Sequence, residues 1–179
     1  MGALAGCALH NARQVSPEDK LGISGQMLEE RKLYKDEALS FRLPASWTAK
    51  ALAEKDPLVH AVGIECPAGL HCRITLLRNA AEDGAFAAEV VRSLKEAHPE
   101  LHAEPHRAGF AAGEARGFRY TFKNERGSWQ GWVVSATQGG VELGFLGQFP
   151  KGTHEKLQEA LTEMMHSLGR TLTPPPDSR

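Results

Sequence analysis

No stretch of this 179-residue chain approaches the ~18 consecutive apolar residues that cross a bilayer, so the sequence predicts no membrane-spanning helix. Neither sign of charge is in excess: 21 Lys and Arg stand against 22 Asp and Glu. That balance gives no electrostatic reason to expect nucleic acid or anionic lipid as a partner. The signatures GxSxG, HExxH, CxxC and Walker A do not occur. The expectation is a protein without catalytic chemistry and without a cofactor. A chain of this length still buries a sizeable core.

Cysteine is scarce, and the three that occur carry information. Cys7 ends "LAGC", which reads as a bacterial lipoprotein cleavage box. Cleavage before Cys7 would let its sulfur take a diacylglyceryl group, and the charged and apolar parts of a signal peptide would then lie upstream of Met1. Residues 8–26 are polar, with scattered Gly, Ser and Pro and no sustained period, as in a flexible tether. The expected organisation is a lipobox remnant and tether over 1–26, a folded domain over 27–170, and a Pro-rich tail over 171–179.

Within the domain, period-2 alternation dominates. "LSFRL" sets Leu39, Phe41 and Leu43 on one face, and "GFRYTFK" does the same with Phe118, Tyr120 and Phe122. With "WVVSA" and "VELGFLGQF", and with turns at "NERG" and "TQGG", this predicts an antiparallel meander from about Ala115 to Phe149. Two segments switch to a helical period. Phe86, Val90, Val91, Leu94 and Ala97 form one stripe, with Asn79 and Glu82 as a capping box. Leu157, Leu161, Met164, Met165 and Leu168 form another, with Thr153 as N-cap and Gly169 as stop. The order implies an α+β domain, a curved antiparallel sheet packed with two main helices.

"YKDEALSFRLPASW", with Pro44 and Trp47 three residues apart, resembles the opening of PsbP-like domains, a family that includes bacterial DcrB-like lipoproteins. "GFRYTFKNERGSWQGWVVSATQGGVELGF" resembles their meander and "HEKLQEALTEMMHSL" their closing helix. The resemblance implies a non-catalytic binding or assembly factor. With Cys7 lipidated, it implies a protein anchored to a membrane of the bacterial envelope, facing the periplasm and binding another protein. By likeness to Gram-negative lipoproteins, Ala8 after the cysteine points to the outer membrane. A cytoplasmic branch that resembles secretion-effector chaperones is the alternative, and a metal-dependent enzyme a further one.

Cys66 and Cys72 bracket "PAGLH". Facing each other across a hairpin, they would set Ile64 against Ile74, Val62 against Leu76 and Glu65 against Arg73, so apolar meets apolar and acid meets base. A disulfide there would contribute roughly 2.4 kcal/mol in the chain-entropy picture. "HPELHAEPH" holds His98, His102 and His106. Pro99 and Pro105 break any helix, and in a strand His102 and His106 lie ~13 Å apart. His98 and His102 are the weak metal candidates that remain. Trp129 and Trp132 are an odd number of residues apart, so they should face opposite sides of one strand. Trp132 reads as core, and Trp129, beside a turn, as an exposed contact for a partner.

Overall fold

The computed structural model of the chain describes residues 30–66, 70–78, 80, 84–111, 113–153 and 155–171. Cys7, its tether and the Pro-rich tail lie outside the described residues, as do Asn79 and Glu82.

The strands are β1 (Arg31–Lys35), β2 (Leu39–Pro44), β3 (Thr48–Leu52), β4 (Val59–Glu65) and β5 (His71–Arg78), followed by β6 (His102–Phe110), β7 (Gly113–Asn124), β8 (Gly127–Gln138), β9 (Val141–Pro150) and β10 (Gly169–Arg170). Helix α1 (Ala85–Ala97) sits between β5 and β6, and α2 (Glu155–Ser167) between β9 and β10. Seven strands form one sheet in the order β3-β4-β5-β9-β8-β7-β6, and β1-β2-β10 form a second; every pairing is antiparallel. This is the expected α+β architecture, with two helices on a large antiparallel sheet.

Alternation along β8 divides the interior in two. Trp132 and Val134 join Phe145, Phe149, Ile74 and the apolar stripe of α2 on one face of the large sheet. The three-stranded sheet closes the same side with Leu39, Phe41 and Leu43, beside a fully buried Trp47. Trp129 and Val133 face the other way and join Tyr120, Phe122 and the α1 residues Phe86, Ala87 and Val91. We call these the α2 face and the α1 face. The two tryptophans occupy opposite faces, as their spacing requires.

The two-residue loop between β8 and β9 is Gly139–Gly140, with φ of 59° and 72°. Both positive values suit the primed turn that matches strand twist, which is why "TQGG" was readable as a hairpin.

The helix ends differ from expectation. Gly84, at φ 80°, is the N-cap of α1, and no side chain caps it locally. The cap comes instead from β9. Glu142 is 1% exposed, and the Phe86 amide donates to its carboxylate at 3.1 and 3.2 Å. A buried carboxylate at a helix N-terminus meets the positive end of the backbone dipole. Thr153 donates its hydroxyl to the Pro150 carbonyl at 2.6 Å, ahead of a helix that starts at Glu155. Gly169 opens β10 rather than stopping α2 in a left-handed turn.

The hairpin β4–β5 is formed, but two residues out of the expected register. Ile64 faces Cys72, Val62 faces Ile74 and Gly63 faces Arg73. A two-residue slip keeps every side chain on its face, so apolar alternation cannot distinguish the two registers. Arg73 finds its acid elsewhere, in Glu54 at 2.7 Å.

Close packing of α1 depends on Gly144. A Cβ there would lie 2.4 Å from the Phe86 ring. Gly144→Ala is therefore expected to destabilise the protein by about 1–3 kcal/mol in urea unfolding. The cost should shrink markedly in a Phe86→Ala background, read from a double-mutant cycle. An equal cost in both backgrounds would rule out this contact as the cause.

Candidate functional site

His98 and Trp129, both singled out in the sequence, come together through a third ring. His98 follows the last turn of α1, and its imidazole stacks on Phe122 with centroids 4.1 Å apart. Phe122 pairs with Trp129 across β7 and β8, and those rings stack at 6.5 Å. His71, at the start of β5, extends the row, 6.3 Å beyond Trp129. Burial, and then the nearby charge of Arg126, hold the His71 pKa below the usual histidine range.

Trp129 is 8% exposed, which corrects the expectation of an exposed contact residue. The turn beside it does not leave it in solvent, because the α1-face core and the Phe122 ring cover the indole. Its N–H donates to Asn124 Oδ1 at 3.1 Å, and the same oxygen accepts from the Arg126 amide at 2.9 Å. One asparagine thus fixes both the turn and the indole.

Beside His98, at one end of this row, lies an open cleft of about 460 Å³, between the C-terminal end of α1 and the β7–β8 turn. Its rim holds Glu100, Lys123, Glu125 and Arg126, two acids and two bases. Its wall includes His98, whose Nε2 is buried and has no hydrogen-bond partner among the described residues. An unmade bond on a buried polar atom costs about 1–3 kcal/mol.

The other histidines do not join this site. His102 and His106 are on β6, in phase with Ala108 and Phe110, which pack on the α2 face. His106 stacks on Trp132 at 6.4 Å, while His98 stacks on the α1 face. The sheet therefore separates His98 from His102, the two weak metal candidates of the sequence. Among the described residues, no three His, Cys, Asp or Glu side chains form a metal-binding group.

Cys66 and Cys72 are not bridged in the structure. The observed register places Cys72 opposite Ile64, so Cys66 is its diagonal neighbour. Diagonal Cβ atoms are typically ~7 Å apart, against about 4 Å in a disulfide. Burial, and then the neighbouring Cys66, push the Cys72 thiol well above its ordinary pKa. Such a thiol is a poor nucleophile.

A Tyr34–Asp36–His60 cluster, which the sequence did not reveal, joins the two sheets. Tyr34 donates its hydroxyl to Asp36 Oδ2 at 2.7 Å, and His60 Nε2 lies 2.9 Å from the same oxygen. The amides of Ala38 and Leu39 donate to Oδ1 at 2.8 and 2.7 Å. With both oxygens engaged, the carboxylate is a clamp between the β1–β2 turn and β4 rather than a general base. Burial pushes its pKa up, but the bonds from Leu39, Ala38, Tyr34 and His60 outweigh that and hold it below the usual range. Tyr34 is pushed up to about 12, first by burial and then by Asp36.

No family model matches the chain, and no curated protein matches it either. Solved structures do. Cyanobacterial PsbP from Synechocystis sp. PCC 6803 is 10% identical over 83% of this chain and 97% of its own, with a TM-score of 0.58. The fold is PsbP-like. The Ran-binding protein Mog1p of Saccharomyces cerevisiae is 12% identical over 78% of this chain and 95% of its own, with a TM-score of 0.51. Identities this low speak for the PsbP-like fold alone.

Two outcomes are expected here. Trp129→Ala should cost about 3–5 kcal/mol in urea unfolding, the value for a buried Trp, and not the small change of a surface position. Stability should also carry the Tyr34 titration. Its pKa is raised on folding, so its contribution is complete below the ordinary tyrosine value near 10 and lost as pH rises through about 12. Tyr34→Phe keeps the stacked ring over Phe41 and should lose that dependence. Asp36 runs the other way: its lowered pKa contributes above the ordinary carboxyl range, and the contribution is lost as pH falls. Difference curves of ΔG against pH for Tyr34→Phe and Asp36→Asn check both signs.

Proposed function

We propose that this protein is a non-catalytic cell-envelope lipoprotein whose PsbP-like domain binds or helps assemble another protein. The observation that carries the binding part is the cleft at the end of α1. It combines the His98 ring, stacked on Phe122 behind it, with a rim of both charge signs. Polar, solvent-accessible groups of this kind make up the rim of protein interfaces. In Mog1p the same fold belongs to a Ran-binding protein, a precedent for protein recognition on this scaffold. "LAGC" supports the anchor, with Cys7 as the lipidated residue and the outer membrane, facing the periplasm, as the favoured location.

The diagonal placement of Cys66 and Cys72 favours a second reading, a cytoplasmic secretion-effector chaperone of the same fold, since an oxidising compartment would reward a bridge. In the envelope reading the Cys66–Cys72 disulfide is also proposed, and it requires the hairpin tip to close by one diagonal step.

With its native upstream sequence in place, the chain should partition with membranes and carry added lipid mass at Cys7, and Cys7→Ser should release it. A photo-crosslinker at Glu125, on the rim, should trap a discrete protein adduct that Arg126→Glu weakens. The same probe at Lys95, on the exposed side of α1, should trap none. A precursor that stays soluble with an unmodified Cys7 and two alkylatable thiols at Cys66 and Cys72 would select the chaperone instead.

A further inference from the structure

Of the three large apolar side chains that are exposed among the described residues, Leu33 is the most open, at 63%. Its surroundings are unusual. The β1–β2 ladder pairs Arg31 with Pro44, Leu33 with Arg42 and Lys35 with Ser40. These six positions share one face, because side chains alternate along a strand. The opposite face carries Phe41 and Leu43 into the core; of the six, Pro44 is buried and Ser40 half-buried, while Arg31, Leu33, Lys35 and Arg42 are exposed. Three are basic, one is an exposed leucine and none is acidic. Glu163 of α2 reaches the rim and pairs with Arg31, which leaves Lys35 and Arg42 as a surplus of two positive charges around Leu33. The whole chain is nearly neutral, so this surplus is local.

From this we infer that the outer face of β1–β2 is a docking surface for an anionic lipid bilayer. Leu33 would enter the headgroup layer while Arg31, Lys35 and Arg42 meet lipid phosphates. The composition separates this occupant from a protein. Protein interfaces are enriched in aromatics as well as Arg, and depleted of Lys; this face has two arginines but no aromatic, and sets them with Lys35 around one aliphatic side chain. Basic residues beside an apolar one are the pattern of interfacial membrane contact. The chain also enters the domain here: β1 directly follows residues 1–30, which include Cys7. The inference goes beyond the proposed anchor and does not require it.

The test uses the full chain with Cys7→Ser, so no lipid is attached. Flotation is measured with vesicles of phosphatidylethanolamine and phosphatidylglycerol, and with vesicles of phosphatidylcholine alone. Binding to the anionic vesicles should be weak but measurable, fall steeply with salt, and be near background on the neutral ones. Each Lys or Arg at an anionic surface strengthens binding about fivefold. Lys35→Glu/Arg42→Glu should therefore lower the partition coefficient at least about 25-fold. Leu33→Ser should lower it about tenfold, with a smaller change in the salt slope. All three substitutions are at exposed positions, and circular dichroism checks the fold. Lys95→Glu/Lys151→Glu is the charge-matched control elsewhere on the surface and should retain most of the binding. Absence of flotation with anionic vesicles would overturn the inference, whatever happens at Cys7. So would an equal loss in the control pair, which would mean a diffuse electrostatic attraction.

Discussion

Strand alternation constrains this protein most severely at β8 and β9, which are buried on both faces. Each of these strands has to satisfy two cores at once: Trp132 with Phe149 and α2 on one side, Trp129 with Phe122 and α1 on the other. Moving β8 by a single residue would exchange the two tryptophans and ruin both cores together. The helices inherit their positions from this arrangement. Helix α1 is seated where Gly144 leaves room for Phe86 and where Glu142, from β9, receives the Phe86 amide. The cleft at the far end of α1 then follows from geometry: one end of the helix is fixed by β9, and the other reaches the β7–β8 turn.

The small sheet is attached by different physics. Its inner face packs against α2 and the large sheet through Leu39, Phe41 and Leu43, while one carboxylate sets its orientation. Asp36 combines an Asx-type turn at Ala38 and Leu39 with bonds to Tyr34 and His60. An apolar contact tolerates small rotations; four hydrogen bonds on one carboxylate do not. These bonds tie the β1–β2 turn to β4 of the large sheet.

Much of this fold was legible in the sequence, and the failures have specific causes. Phe118, Tyr120 and Phe122 announced β7 by alternation, and Gly139–Gly140 announced the turn after β8 because few residues other than glycine accept two successive positive φ values. The stripes of α1 and α2 were equally plain. Strand β6 was hidden by its histidines, charges and Pro105, which are tolerated because it is an edge strand. The β4–β5 register was misplaced because a slip of two residues leaves the apolar pattern unchanged. At the candidate site, His98 and Trp129 were both noticed, for the wrong reasons. What unites them is Phe122, and nothing local shows that a helix end 31 residues before Trp129 returns to stack there. The Tyr34–Asp36–His60 clamp was illegible for the same reason, since His60 reaches it only through the packing of one sheet on another. The basic face escaped notice because a net charge averages over the surface.

The two outer strands of the large sheet are not equivalent. Pro105 lies within β6 and removes one backbone donor there, whereas β3, "TAKAL", has no proline and is blunted only by Lys50. Unlimited stacking of sheets end to end, the route to fibres, needs two adhesive edges on every molecule. Of the two edges of the large sheet, only β3 is free of proline. Association of two large sheets through β3 alone stops at a closed pair, β3 against β3, and each copy brings Lys50 to that edge, so the same edge that invites a neighbour also limits how tightly it is held.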